Sequence, residues 1–175
     1  MRIERLGAVR PVLALGIGNP SRGDDAIGPL LIEALADVQA RGGLPDVALL
    51  ADDQLLPEHV LDLRGRALVI FADAAASGPA PFALRPVVPA TRFAHATHTS
   101  SPGELLALMA SLYGTPPRAW VLAIRGFRFT LGDPLSPRAR ANLDSATDWL
   151  VQWDCRPPGP GPLDVGGSGS MPRSP

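Results

Sequence analysis

Short apolar runs alternate along this chain with longer stretches in which apolar residues recur at helical spacing. Pro11-Val12-Leu13-Ala14-Leu15 carries no charge and reads as a strand buried on both faces. Comparable runs predict strands over residues 12–17, 47–51, 67–72, 82–88 and 120–124. After the first strand, Ala26, Ile27, Leu30, Leu31, Ala34, Leu35 and Val38 predict a helix over 26–40 that stops at Gly42-Gly43. Further helices are predicted over 57–63, 102–112 and 137–153, with Pro57 and Pro137 in first-turn positions and Ser136 as a cap. Strands alternating with helices predict an α/β fold whose parallel or mostly parallel sheet is covered on both faces. Arg85-Pro86 and Val88-Pro89 place the fourth strand at an edge of that sheet.

Composition narrows the class. The 175 residues suit one domain over 1–155, followed by a Pro-, Gly- and Ser-rich tail over 156–175 that is expected to be disordered. No apolar run is long enough to span a membrane, and the first residues, Glu4 among them, do not read as a signal peptide, so a cytoplasmic protein is expected. A single cysteine, Cys155, excludes an internal disulfide and a cysteine zinc cluster, and beside the tail it reads as a spare thiol rather than a nucleophile. A net charge of -1 gives no basic field for nucleic acid, and all 16 positive residues are arginine.

Residues 16–28, GIGNPSRGDDAIG, carry the densest chemistry. They set Asp24 and Asp25 between a strand and a helix, at the carboxyl end of the strand, where open α/β sheets place their sites. Gly16, Gly18 and Gly23 do not have the G-x-G-x-x-G spacing of a dinucleotide loop, and the two acids stand where a pyrophosphate would lie. A phosphate-binding loop is excluded as well, because the chain has no lysine. One aspartate would suffice to cap the helix; two exceed what a cap requires.

Other strand ends offer partners. Val69-Ile70-Phe71-Ala72-Asp73 delivers a carboxylate at the carboxyl end of the third strand, where a turn or cap role is the competing reading. His95 and His98 stand in the small polar segment AHATHTSSP before a helix, whereas His59 beside Glu58 reads as solvated. One loop histidine with carboxylates from two strand ends makes a ligand set suited to divalent nickel, zinc or iron. The G-x-S-x-G elbow is missing, and Thr97, Ser100 and Ser101 are candidate nucleophiles by composition only.

GIGNPSRGDDAIG, the strand ending IFADA, and HTSSPGELLALMASL together resemble the hydrogenase maturation proteases over residues 12–150. The resemblance implies a three-layer sandwich of phosphorylase/hydrolase-like type, with a mainly parallel, twisted five-stranded sheet and helices on both faces. It implies an endopeptidase that removes the C-terminal extension of a nickel-iron hydrogenase large-subunit precursor. The family's nickel-contacting set falls on Asp25, Asp73 and His98, with His95 as a substitute for the last. The nickel is supplied by the substrate and the chemistry is of aspartic type; the attacking group is not identified by these residues, and water is the simplest choice because the sequence shows no activated serine or cysteine. Asp24 is left to organise the loop or assist proton transfer in the catalytic set. The family's glycine-rich loop after the second strand is replaced here by Asp52-Asp53-Gln54-Leu55-Leu56.

The implied partner is the precursor, met transiently by a monomer, with no nucleic acid and no membrane. Two other readings stand beside it. A non-catalytic nickel-recognising chaperone of the large subunit would use the same ligands. A peptidyl-tRNA hydrolase-like esterase also begins G-x-G-N-P, but Arg22-Gly23-Asp24-Asp25 occupies the place of its Asn-His pair.

Overall fold

The structure, a computed structural model, describes residues 9–91 and 100–156. Its five strands are β1 (Val12–Ile17), β2 (Val47–Asp52), β3 (Leu68–Ala75), β4 (Phe82–Val87) and β5 (Arg118–Arg125). Its helices are α1 (Ile27–Ala40), α2 (Val60–Leu63), α3 (Pro102–Tyr113) and α4 (Pro137–Gln152). The strands form one sheet in the order β2-β1-β3-β5-β4, parallel except for β4, which runs antiparallel to β5 at the edge. The edge position of the proline-bearing strand is the one expected from its sequence, since Pro86 has no N–H for a second ladder.

Period-two alternation sends each central strand into two cores. Val12, Ala14, Ile70, Ala72, Leu122 and Ile124 join Ile27, Leu31 and Leu35 of α1 and Leu143, Ala146 and Leu150 of α4. Leu13, Leu15, Val69 and Phe71 face the opposite way, onto Val60 and Leu63 of α2 and Leu105, Leu106 and Met109 of α3. The result is the three-layer α/β architecture, with helices on both faces of a mostly parallel sheet.

Local signals explain the helix starts. Ser136 caps α4 by accepting from the Ala139 N–H at 3.3 Å, with Pro137 opening the helix. At α3, the Ser101 hydroxyl accepts from Glu104 N–H while the Ser101 N–H donates to Glu104 Oε2 at 2.7 Å, a reciprocal box. The first helix starts differently from the expected 26–40: a 3-10 turn over Gly23–Ala26 precedes it, so both aspartates sit in that turn. At the third strand, pairing with β1 ends at Gly16↔Ala72, but pairing with β5 continues through Ala75↔Arg125. Asp73 therefore stands where β3 projects beyond its neighbour, inside a strand rather than after one.

Two glycines fix how closely α1 approaches this edge. A Cβ on Gly28 would lie 2.1 Å from the Ile17 carbonyl oxygen, and one on Gly16 would lie 2.2 Å from that of Gly28. Backbone thus rests on backbone where the helix leaves the sheet. Gly28→Ala is expected to cost about 3 kcal/mol or more, because the methyl meets main chain that cannot rotate away. Urea unfolding of the purified variant measures it; a midpoint equal to wild type would contradict the packing described.

Candidate functional site

Asp24 and Asp25 are neighbours with different environments. Asp24 is fully buried. Its Oδ2 accepts from Phe127 N–H at 2.7 Å, Arg128 N–H at 2.9 Å and Ser136 Oγ–H at 2.8 Å, and its Oδ1 accepts from Ser136 N–H at 2.7 Å. Burial by itself raises its pKa, but the hydrogen bonds from Ser136, Arg128 and Phe127 outweigh that and hold the carboxyl below its ordinary value of 3.8. The proton-transfer role considered for Asp24 does not suit these surroundings. Every oxygen is engaged, and Asp24 is not among the residues lining the cavity described below. Nor does it cap its own helix: it fastens the segment before α4, and through Ser136 supports that helix's cap instead.

The same segment is sewn to the aspartate loop at further points. Asp24 N–H donates to Arg128 O at 2.7 Å, Gly23 N–H to Asp133 O at 3.0 Å, Gly132 N–H to Ser21 O at 2.8 Å and Arg22 Nε–H to Phe129 O at 3.0 Å. Phe127 packs against the core with the Arg138 guanidinium 3.9 Å from its ring centroid.

Asp25 is half-buried and accepts from the Asn19 N–H at 3.1 Å. Gly18, at φ +140°, lets the chain turn directly over it: a Cβ there would lie 2.0 Å from the Asp25 carbonyl oxygen. Asp25 and Asp73 line one cavity of about 370 Å³, together with Ile17, Gly18, Asp53, Gln54, Leu55, Phe71, Ser100, Pro102 and Val121. The cavity lies at the carboxyl end of the sheet, where β2 and β3 flank β1 on opposite sides, the point at which open α/β sheets bind ligands. Its lining combines apolar side chains with three carboxylates, those of Asp25, Asp53 and Asp73.

The carboxyl of Asp73 is pushed up to about 6, first by loss of hydration against the surrounding protein and further by the negative charge of Asp25; a hydrogen bond from the Ala74 N–H opposes both. That repulsion records how the fold gathers an acid from the turn after β1 and one from β3. Oxygen donors of this kind suit a divalent cation. Among the described residues, no group of three or more His, Cys, Asp or Glu side chains is arranged to hold a metal ion. His98 and His95, from which the sequence draws the third ligand, lie outside the described residues, as does Thr97.

His59 is not solvated as its sequence context suggests. It is buried, with Nε2 3.3 Å from Asp52 Oδ2 and Nδ1 2.9 Å from the Leu56 N. Cys155 is a free thiol, as the sequence suggests, but a buried one: it belongs to the core with Leu150, and burial, with the Asp154 carboxylate adding to it, pushes the thiol up to about 12. Such a thiol is inert as a nucleophile. Cavity residues that the sequence did not single out as site groups are Asp53, Gln54 and Leu55, although their glycine-free loop stood out there, and Ser100 had only composition to recommend it.

No family model matches the sequence, and no curated protein does. Solved structures do match. A NiFe hydrogenase maturation protease HycI from Thermococcus kodakarensis superposes with a TM-score of 0.63 at 21% identity, covering 82% of this chain and 91% of that one. The hydrogenase maturating endopeptidase HybD from E. coli gives 0.62 at 22% identity, covering 81% and 90%. The NiFe hydrogenase maturation protease HybD from Thermococcus kodakarensis gives 0.61 at 18% identity, covering 82% and 98%. The chain shares their fold over most of its length.

The two acids make opposite demands on pH. Asp24, with a lowered folded-state pKa, contributes stability that is present above 3.8 and lost as pH falls through its folded value. Asp73, with a raised one, favours the fold below 3.8 and loses that contribution as pH rises to about 6. Asp73→Asn is therefore expected to unfold at a higher temperature than wild type at pH 7.5, by about 1 kcal/mol at most given the solvent at its carboxyl, with the gap closing toward pH 4. Thermal melts in chelator at both pH values check the sign. Asp24→Ala is expected to lose about 3 kcal/mol or more at pH 7, since it strands the buried N–H of Ser136 and the part-buried ones of Phe127 and Arg128. Urea unfolding measures it, and a wild-type midpoint would refute the anchoring role.

Proposed function

We propose that this protein is an endopeptidase of hydrogenase maturation, which removes the C-terminal extension of a nickel-iron hydrogenase large-subunit precursor. The observation that carries the reading is the convergence of Asp25 and Asp73 on one cavity at the sheet's carboxyl edge. It gains weight from a fold in common with proteins named as maturation proteases.

In this reading nickel belongs to the substrate, already seated in the precursor. Asp25 and Asp73 contact it, and His98 completes the set. The arriving cation relieves the repulsion between the two carboxylates, so metal-loaded precursor is favoured over metal-free precursor. The bound metal places the scissile bond beside it and polarises the peptide carbonyl for attack by water. Asp24 and its hydrogen bonds hold Asp25 in place rather than touching substrate. The activity is of aspartic type in the sense that carboxylates and water, not a serine or cysteine, carry it; the buried Cys155 agrees with that. The reaction is assigned to the cytoplasm and to a monomer whose protease domain spans 1–155, with 156–175 as a tail. No helix among the described residues is long and apolar enough to cross a membrane.

Incubation of the purified protein with nickel-loaded precursor, read by mass spectrometry, is expected to give a shortened product. Asp25→Ala and Asp73→Ala should each slow processing by about 100-fold or more while their melting profiles stay cooperative. Full processing by both variants would remove these residues from the site. A stable complex without shortening would favour the chaperone reading.

A further inference from the structure

Residues 53–55 form a wall of the candidate cavity without a glycine to shape them. Hydrogen bonds supply the shape instead. The Gly18 N–H donates to Asp52 O at 3.1 Å, which carries β1–β2 pairing one step past the strands, and the Asp53 N–H donates to Asp52 Oδ1 at 2.7 Å. The Ser100 N–H donates to Leu55 O at 2.7 Å, and Leu55 is itself buried against the α2 and α3 core. His59 closes the arrangement. The Leu56 N–H donates to Nδ1 at 2.9 Å, with the Leu56 carbonyl oxygen 3.2 Å from the same nitrogen; with Nδ1 accepting, Nε2 carries the proton and donates to Asp52 Oδ2 at 3.3 Å. One imidazole thus spans the two ends of the wall.

For packing alone an apolar side chain would serve as well, because a buried polar ring has to recover its lost hydration. What only His59 supplies is an acceptor for Leu56 and a donor for Asp52 on opposite sides of one rigid ring. We propose that His59, paired with Asp52, is a positioning residue that latches residues 53–55 as the wall receiving the precursor's peptide beside Asp25 and Asp73. This inference rests on the endopeptidase reading for the identity of the peptide, but not for the latch itself. His59 does not line the cavity, so its action passes through the loop.

The test combines hydrogen exchange with processing kinetics on nickel-loaded precursor. Three variants are compared with wild type: His59→Phe, which keeps bulk and loses both bonds; Asp52→Ala, which breaks the latch from its half-exposed side; and His59→Gln, whose amide can still donate to Asp52. His59→Phe and Asp52→Ala are expected to speed exchange at the Leu56 amide, whose acceptor is His59, and to raise KM about tenfold with kcat within about twofold; the Asp53 amide reports on the latch only in His59→Phe, because Asp52→Ala also removes its own acceptor. His59→Gln is expected to restore most of the KM. If His59→Phe does not fold, Asp52→Ala carries the comparison. Wild-type exchange and KM in the latch variants would overturn the proposal. So would exchange raised equally across β1 and β3 with KM and kcat changing together, the mark of general destabilisation. If wild type cleaves nothing, the endopeptidase reading fails, while the exchange comparison still decides whether the latch exists.

Discussion

The carboxylate of Asp24 is the constraint around which the functional edge is arranged. It lies in the interior and forms no ion pair among the described residues; its charge is borne by three N–H groups and one hydroxyl. Such a group is tolerable only while all its partners remain in place, since an unpaired buried charge is among the costliest defects a fold can carry. The loop after β1 and the segment before α4 are therefore held together as one unit. Asp25, the next residue, inherits its position from that unit.

Seen this way, adjacent aspartates divide labour through solvent access. The one turned inward spends its acceptor capacity on main chain and gains a depressed pKa. The one turned outward lines the cavity with Asp73, an acid whose pKa is raised. The opposed shifts of Asp24 and Asp73 accompany that separation between a structural and a chemical role. The glycines at positions 16, 18 and 28 serve the same end, because side chains there would push the helix and the turn off the strand.

Much of this was legible in the sequence where the signal is local. Short apolar runs and helical spacing locate the five strands and four helices of the described residues, and Ser136-Pro137 marks the start of α4 because a cap and its helix are contiguous. The meeting of Asp25 and Asp73 was legible because parallel sheets gather strand ends at one edge. The inward turn of Asp24 was not, since its partners lie 103 to 112 residues away in a loop without periodicity. His59 was misread for a related reason: a histidine beside a glutamate in a short helix looks solvated until α3 packs over it. The onward run of β3 past Ala72 depends on β5 continuing to pair, which no pattern within β3 encodes.

The antiparallel strand at the sheet's border has a further consequence. A bare strand edge offers N–H and C=O groups to any other extended chain and so invites self-association into larger aggregates. β4 meets that hazard with Arg85 and Pro86, both exposed, one adding charge and the other withholding an amide. The border strand thus acts as a gatekeeper, keeping the sheet of one molecule from growing into the next.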